Sequence, residues 1–196
     1  MLLDHKSWPQ SGSAMHVLSM VGWTAAGPLA TIDTGIVTQN PQLGRRLFGK
    51  LVHLDLAGQP GPVVGGADCL AWDYLQDDPV LCISADERTV SVRNAVGAPL
   101  FTLPNPGGHL YEDLTLAPDG SRITVQDVGQ DHAMLVDRAG HPTELPAGFV
   151  AEAWLDANTV FGVAPLNGNI TYVSVDQPSR LVDLGFKGVF IGPVTG

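Results

Sequence analysis

Apolar and β-branched residues fall in short runs along this chain, each bounded by Gly, Pro, Asp or Asn. Runs at 16–23, 29–34, 51–56 and 62–64 are followed by runs at 68–72, 79–84, 89–93 and 99–103. The pattern returns at 111–116, 122–126, 133–137 and 143–145, then at 150–155, 160–163, 171–175 and 180–184. Short runs of this composition, punctuated by turn residues, predict strands. No segment longer than a few residues holds a 3.6-residue period, so no amphipathic helix is expected.

A turn marks the same repeat. Asp55, Gly58 and Pro60 recur as Asn94, Gly97 and Pro99, and again as Asp137, Gly140 and Pro142. In each, Asp or Asn opens the turn, glycine supplies a positive φ, and proline begins an edge strand. Asp176 and Pro178 form a weaker fourth copy without the glycine. Four strands in every ~40–45 residues is the pattern of a β-propeller. The expected fold is therefore all-β, a propeller of about four four-stranded antiparallel blades. The blades are expected near 16–66, 67–106, 107–147 and 148–187, after an unmatched tail at 1–15. Residues 188–196 read as a closing strand, the first of another blade, which makes this a truncated propeller. Open inner edges template aggregation. Either the four blades close on themselves, or the edges at 16–23 and 189–192 meet another subunit; a homo-oligomer completing the propeller is expected.

In the third unit a strand ends at Leu116, Pro118, Asp119 and Gly120 make the turn, and a later strand ends in Asp137. This unit resembles the repeats of TolB-like and WD40-like bacterial propellers. The resemblance implies a fold and no particular reaction, because propellers host many unrelated functions.

Composition narrows the functions. Hydrophobic residues at 44% against charged residues at 15% exclude a disordered chain. No apolar run approaches the ~20 residues of a membrane-spanning helix. Asp4, His5 and Lys6 stand where a signal peptide would be apolar, so no export signal is visible. The compartment stays open, since a bacterial secreted or periplasmic protein also lacks its signal once processed. The formal charge of −10 repels phosphate backbones, and nucleic acid is not an expected partner.

Candidate chemistry lies in the connections. Those between units carry Asp68, His109, Tyr111, Glu112, Asp113, Glu152 and Lys187, and the second-to-third-strand loops carry Asp86, Glu87, Arg88, Asp127, Asp131 and His132. Aligning Trp72 with Leu116 makes Asp68 and Glu112 equivalent. Asp68, His109, Glu112, Glu152 and His132 are expected to converge near the axis and hold a divalent cation. Carboxylate with imidazole suits Zn²⁺ or Mn²⁺, and carboxylate alone suits Ca²⁺. His109 with Glu112 and Asp113, two alternatives for one register position, would be the catalytic set. Such a cation polarises an ester or phosphoryl oxygen and acidifies bound water. Two functions follow: a small-molecule or metal-binding propeller acting as a metal-assisted hydrolase of esters, lactones or phosphotriesters, and a non-catalytic protein-interaction scaffold whose acidic loops are merely solvated. Nucleotide-binding, serine-hydrolase and zinc-protease motifs are absent from the sequence.

Three further expectations concern packing. If Trp72 opposes Pro79, Cys69 faces Cys82, either as a disulfide or, as expected here, as two buried thiols. Trp23, Trp72 and Trp154 recur on innermost strands and are expected to pack between blades. The connection at 34–50, with Arg45 and Arg46, is long enough to be a flexible insertion or to fold over the rim.

Overall fold

The computed structural model describes residues 19–32, 49–75, 78–84, 86, 88–127, 132–164 and 168–188. They form four antiparallel four-stranded sheets with strands in chain order, the expected propeller blades. The first comprises β1 (Ser19–Thr24), β2 (Gly27–Ile32), β3 (Lys50–Leu54) and β4 (Pro60–Val63). The second comprises β5 (Leu70–Tyr74), β6 (Val80–Ile83), β7 (Val90–Arg93) and β8 (Pro99–Thr102). The third holds β9 (Tyr111–Leu116), β10 (Arg122–Asp127), β11 (Ala133–Asp137) and β12 (Pro142–Glu144). The fourth holds β13 (Val150–Asp156), β14 (Thr159–Val163), β15 (Asn169–Ser174) and β16 (Gln177–Lys187). No helix among the described residues is long and apolar enough to cross a membrane.

The repeated turn has a simple cause. Asp55 Oδ1 accepts the N–H groups of Ala57 and Gln59 at 2.8 Å, and Asp137 Oδ1 those of Ala139 and His141 at 2.9 Å. Asn94 Oδ1 accepts the Ala98 N–H at 2.8 Å. The backbone can then double back only through a left-handed residue, and Gly58, Gly97 and Gly140 sit at φ 80°, 93° and 79°. In the fourth blade Ser174 pairs with Gln177 across a two-residue turn, so no glycine is needed there.

Alternation drives opposite faces of one sheet into different cores. Val80 and Cys82 join Leu29 and Leu51 of the first blade, whereas Leu81, Ile83, Val90 and Val92 join Ile123 and Val125 of the third. Leu135 and Ala133, on the third sheet's other face, pack with Ala151, Trp154 and Val160. At each junction the residue after the outer strand donates its N–H to the preceding strand: Val64 to Leu51, Leu103 to Val90, Leu145 to Ala133, at 2.7, 2.9 and 2.9 Å. Asp73 Oδ2 accepts the Leu116 N–H at 2.8 Å and ties the second blade to the third.

Each inner strand carries an irregularity in its pairing: around Met20 and Gly22, Ala71 and Asp73, opposite Thr124 and Gln126, and around Ala151 and Ala153. One of these corrects the expected register of the second blade. Ala71 pairs with Cys82, Asp73 with Leu81 and Tyr74 with Val80, so Trp72 is bulged and does not oppose Pro79. Cys69 lies just outside β5, where its N–H donates to the Gly66 carbonyl at 3.0 Å. That turn carries it alongside Cys82, at a Cα separation of 5.1 Å, and the two form a disulfide rather than the expected thiols.

Trp72 and Trp154 are buried between blades as expected, but Trp23 is 70% exposed. The tail at 1–15, most of the 34–50 connection, the edge at 189–192 and the closing strand beyond Gly188 lie outside the described residues.

Candidate ligand site at the start of the third blade

Residues 103–110 lead from β8 into β9, and their own side chains shape the loop. Asn105 Oδ1 accepts the His109 N–H at 2.8 Å, while Asn105 Nδ2 donates to the carbonyls of His109 at 2.9 Å and Arg88 at 2.7 Å. One amide thus joins the second blade's β6–β7 loop to the start of the third blade. A Cβ at Gly107 would stand 2.4 Å from His109 Nε2, so only glycine lets the imidazole lie against this loop.

His109 Nδ1 meets Asp127 Oδ2 at 2.9 Å. Asp127 ends β10, and its backbone pairs with Tyr111. Its side chain is 5% exposed, against 41% for His109. A buried carboxylate on Nδ1 fixes the ring orientation and places the proton of the neutral imidazole on that nitrogen. Nε2 then carries the lone pair and lies against Gly107. The Arg88 guanidinium lies over Gly108, about where a Cβ there would be 4.0 Å from Nη1. Burial, followed by the Asp127 carboxylate, holds the Tyr111 hydroxyl above its ordinary range.

Asp113 lies in the bulge of β9, buried, with φ at 51°. Asp tolerates this left-handed region better than most residues because its short side chain can bond locally. Glu112 pairs through its backbone with Gln126. His109, Glu112 and Asp113 thus occupy one stretch at the start of the third blade, and Asp127 joins them from β10.

The other expected ligands are engaged elsewhere. Asp68 makes a two-point ion pair with Arg93, at 2.8 and 3.2 Å. Hydrogen bonding from Arg93 holds its carboxyl below the usual range. His132 Nε2 faces Glu144 Oε1 of the outermost strand β12 at 3.8 Å. Glu152 sits half-buried in the β13 bulge. Among the described residues, no three His, Cys, Asp or Glu side chains are grouped closely enough to hold a metal ion.

Asp127 is the residue that sequence reasoning undervalued. It stood among the loop acids, yet hairpin pairing of 111–116 with 122–126 already carries the next residue back to the start of β9, beside His109.

No protein-family model and no curated protein sequence matches this chain. Its fold is similar to that of virginiamycin B lyase from Staphylococcus aureus, at 12% identity and a TM-score of 0.51, over 87% of this chain and 55% of that one. A streptogramin B lyase is similar at 12% identity and a TM-score of 0.50, over 86% and 54% of the two chains. Both are β-propellers. The chain spans about half the length of these neighbours, and at such identities the likeness extends to the fold alone.

Proposed function

We propose that this chain is a ligand-binding β-propeller whose site is the start of the third blade, where His109 moves a proton at Nε2. The observation carrying this reading is the 2.9 Å contact of His109 Nδ1 with the buried Asp127 carboxylate. That pairing holds the imidazole in one orientation with Nδ1 turned to the carboxylate, which leaves Nε2 as the nitrogen of a general base. Asn105 and Gly107 fix the backbone beneath the ring, and Arg88 supplies a neighbouring positive charge for an oxyanion. Small esters and lactones are the substrate class: Nε2 takes a proton from water or from the substrate, and Arg88 faces the charge developing on oxygen. In this form the reading needs no metal.

The experiment is turnover of a panel of chromogenic esters and lactones by the native chain, His109→Gln and Asp127→Asn. Loss of a general base costs about 10²–10⁴-fold in rate. Both variants should fall by that order while their circular dichroism is unchanged. Turnover that survives His109→Gln would overturn the reading. A non-catalytic interaction scaffold is the second reading, favoured by the exposed Leu155, Leu184 and Phe186 of the fourth blade.

A further inference from the structure

The Arg88 guanidinium differs from the other described arginines in what it touches. Arg93 grips Asp68, and Arg122 donates to Ser121 Oγ at 3.3 Å. Arg138 donates to the carbonyls of Asp119 and Gly120 at 3.3 and 3.4 Å, and Arg180 to Gln177 Oε1 at 3.2 Å. Arg88 is exposed, and no described residue bonds to its guanidinium.

Its main chain is nonetheless fixed on both sides. The Arg88 N–H donates to Asp86 Oδ1 at 3.2 Å, and its carbonyl accepts from Asn105 Nδ2 at 2.7 Å. The same Nδ2 donates to the His109 carbonyl at 2.9 Å, so one amide sets the arginine beside the imidazole. The two side chains flank consecutive glycines: Arg88 Nη1 stands 4.0 Å from where a Gly108 Cβ would be, and His109 Nε2 lies against Gly107. Two acids of this site are already engaged. Asp86 accepts from Ser84 Oγ and the Arg88 amide, and those bonds, Ser84 first, hold its carboxyl below the usual range. Asp127 is taken by His109.

Taking His109 as the base of this site, we propose that Arg88 binds a carboxylate of the substrate itself, so that the site selects esters or lactones with a carboxylate a short chain away from the reacting carbonyl. A guanidinium is a planar fork of donors that matches a carboxylate, and here the fork is left to a ligand. One charge suits it better than two, because a phosphate dianion would meet Asp86 and the field of a chain with formal charge −10. The short spacer follows from the neighbouring positions of the two groups along Gly107 and Gly108. A charge already present in the substrate is bound before reaction, so Arg88 acts on KM as well as on the charge that develops later.

A matched pair of chromogenic esters tests this: the para-nitrophenyl monoester of glutaric acid and neutral para-nitrophenyl hexanoate, each corrected for spontaneous hydrolysis. The native chain is expected to favour the charged ester about 10–100-fold in kcat/KM, mostly through KM, as a hydrogen bond to a charged group would give. The preference should shrink as salt rises. Arg88→Gln should slow both esters and abolish the preference, and Arg88→Lys should keep part of it. Propionate, which has no ester to cleave, separates binding from catalysis. At low ionic strength it should shift the His109 ring resonances in the native chain and not in Arg88→Gln, and inorganic phosphate should shift them less. A propionate response that Arg88→Gln loses, with neither ester turned over, keeps Arg88 as a carboxylate site and overturns only the catalytic reading. Turnover without preference in the native chain, or a preference that Arg88→Gln retains, overturns the carboxylate site and leaves His109 as the base. A stronger response to phosphate than to propionate also overturns it.

Discussion

The connection from the first blade to the second and the one from the second to the third begin alike. Val64 and Leu103 each donate an N–H to the start of a third strand and drop into the core between blades. Beyond that point they diverge. In residues 64–69 the reactive groups are tied to partners: Asp68 pairs with Arg93, Cys69 is bonded to Cys82, and Arg93 Nη1 also reaches the Gly65 carbonyl at 3.3 Å. In residues 103–110 the polar groups hold the loop through Asn105, and the His109 ring stays partly exposed on Gly107. Equivalent places in a repeat thus share backbone geometry and not chemistry. Asp68 and Glu112 looked interchangeable by position, yet Asp68 serves the fold.

Cutting the first connection should therefore cost stability and spare the site. Replacing Cys69 and Cys82 together by Ala releases a short loop, a sequence separation of 13. On loop-entropy grounds such a crosslink contributes about 3 kcal/mol. Urea unfolding should show a loss of that size, while ester turnover per folded molecule stays at the native level. A loss below about 1 kcal/mol would mean that the connection is held mainly by its glycines and Arg93.

Glycine substitutions sharpen the contrast. At Gly108, with φ at +62°, the nearest atom to an added Cβ is 4.0 Å away. Only the backbone penalty remains there, about 1–2 kcal/mol. At Gly65, with φ at +83°, the Cβ would lie 2.8 Å from Cys69 Sγ and 3.0 Å from Cys82 Sγ. Those sulfurs cannot move apart while bonded, so Gly65→Ala should cost clearly more than Gly108→Ala in the same unfolding assay. Reducing the disulfide should narrow the gap. Equal costs in the oxidised protein would contradict the packing described here.

Much of this architecture was legible in the sequence, because the turns are local. Asp55, Asn94 and Asp137 bond to amides within four residues, so spacing alone announces them. The β9 and β11 bounds, Tyr111–Leu116 and Ala133–Asp137, match the apolar runs for the same reason. Bulges are a different matter. Nothing in the residues around Trp72 or Asp113 marks the extra residue, since it answers to packing against the neighbouring blade, and the slip hid the true partners of Cys82. Pairing across blades was equally hidden: Arg93 lies 25 positions from Asp68, and no local pattern links them. Of the site, His109 was visible as an unusual residue in a connection, whereas Asp127 becomes its partner only once the hairpin register is known.

The two connections should also answer pH in opposite directions. Arg93 holds the Asp68 carboxyl below its usual range, so the pair favours the folded state above the ordinary Asp value of about 3.9. That contribution disappears as pH falls through the lowered value. Asp68 is well exposed, and a solvent-screened pair of this kind contributes about 1 kcal/mol at most. In the second connection, burial and then the Asp127 carboxylate raise the Tyr111 hydroxyl. Its contribution is complete below the ordinary value of about 10 and is lost as pH rises through the raised one. Arg93→Ala should flatten only the acid limb of a stability–pH curve, and Tyr111→Phe only the alkaline limb. If Arg93→Ala instead shifted the alkaline limb, the two connections would be electrostatically coupled, and Asp68 could no longer be assigned to the fold alone.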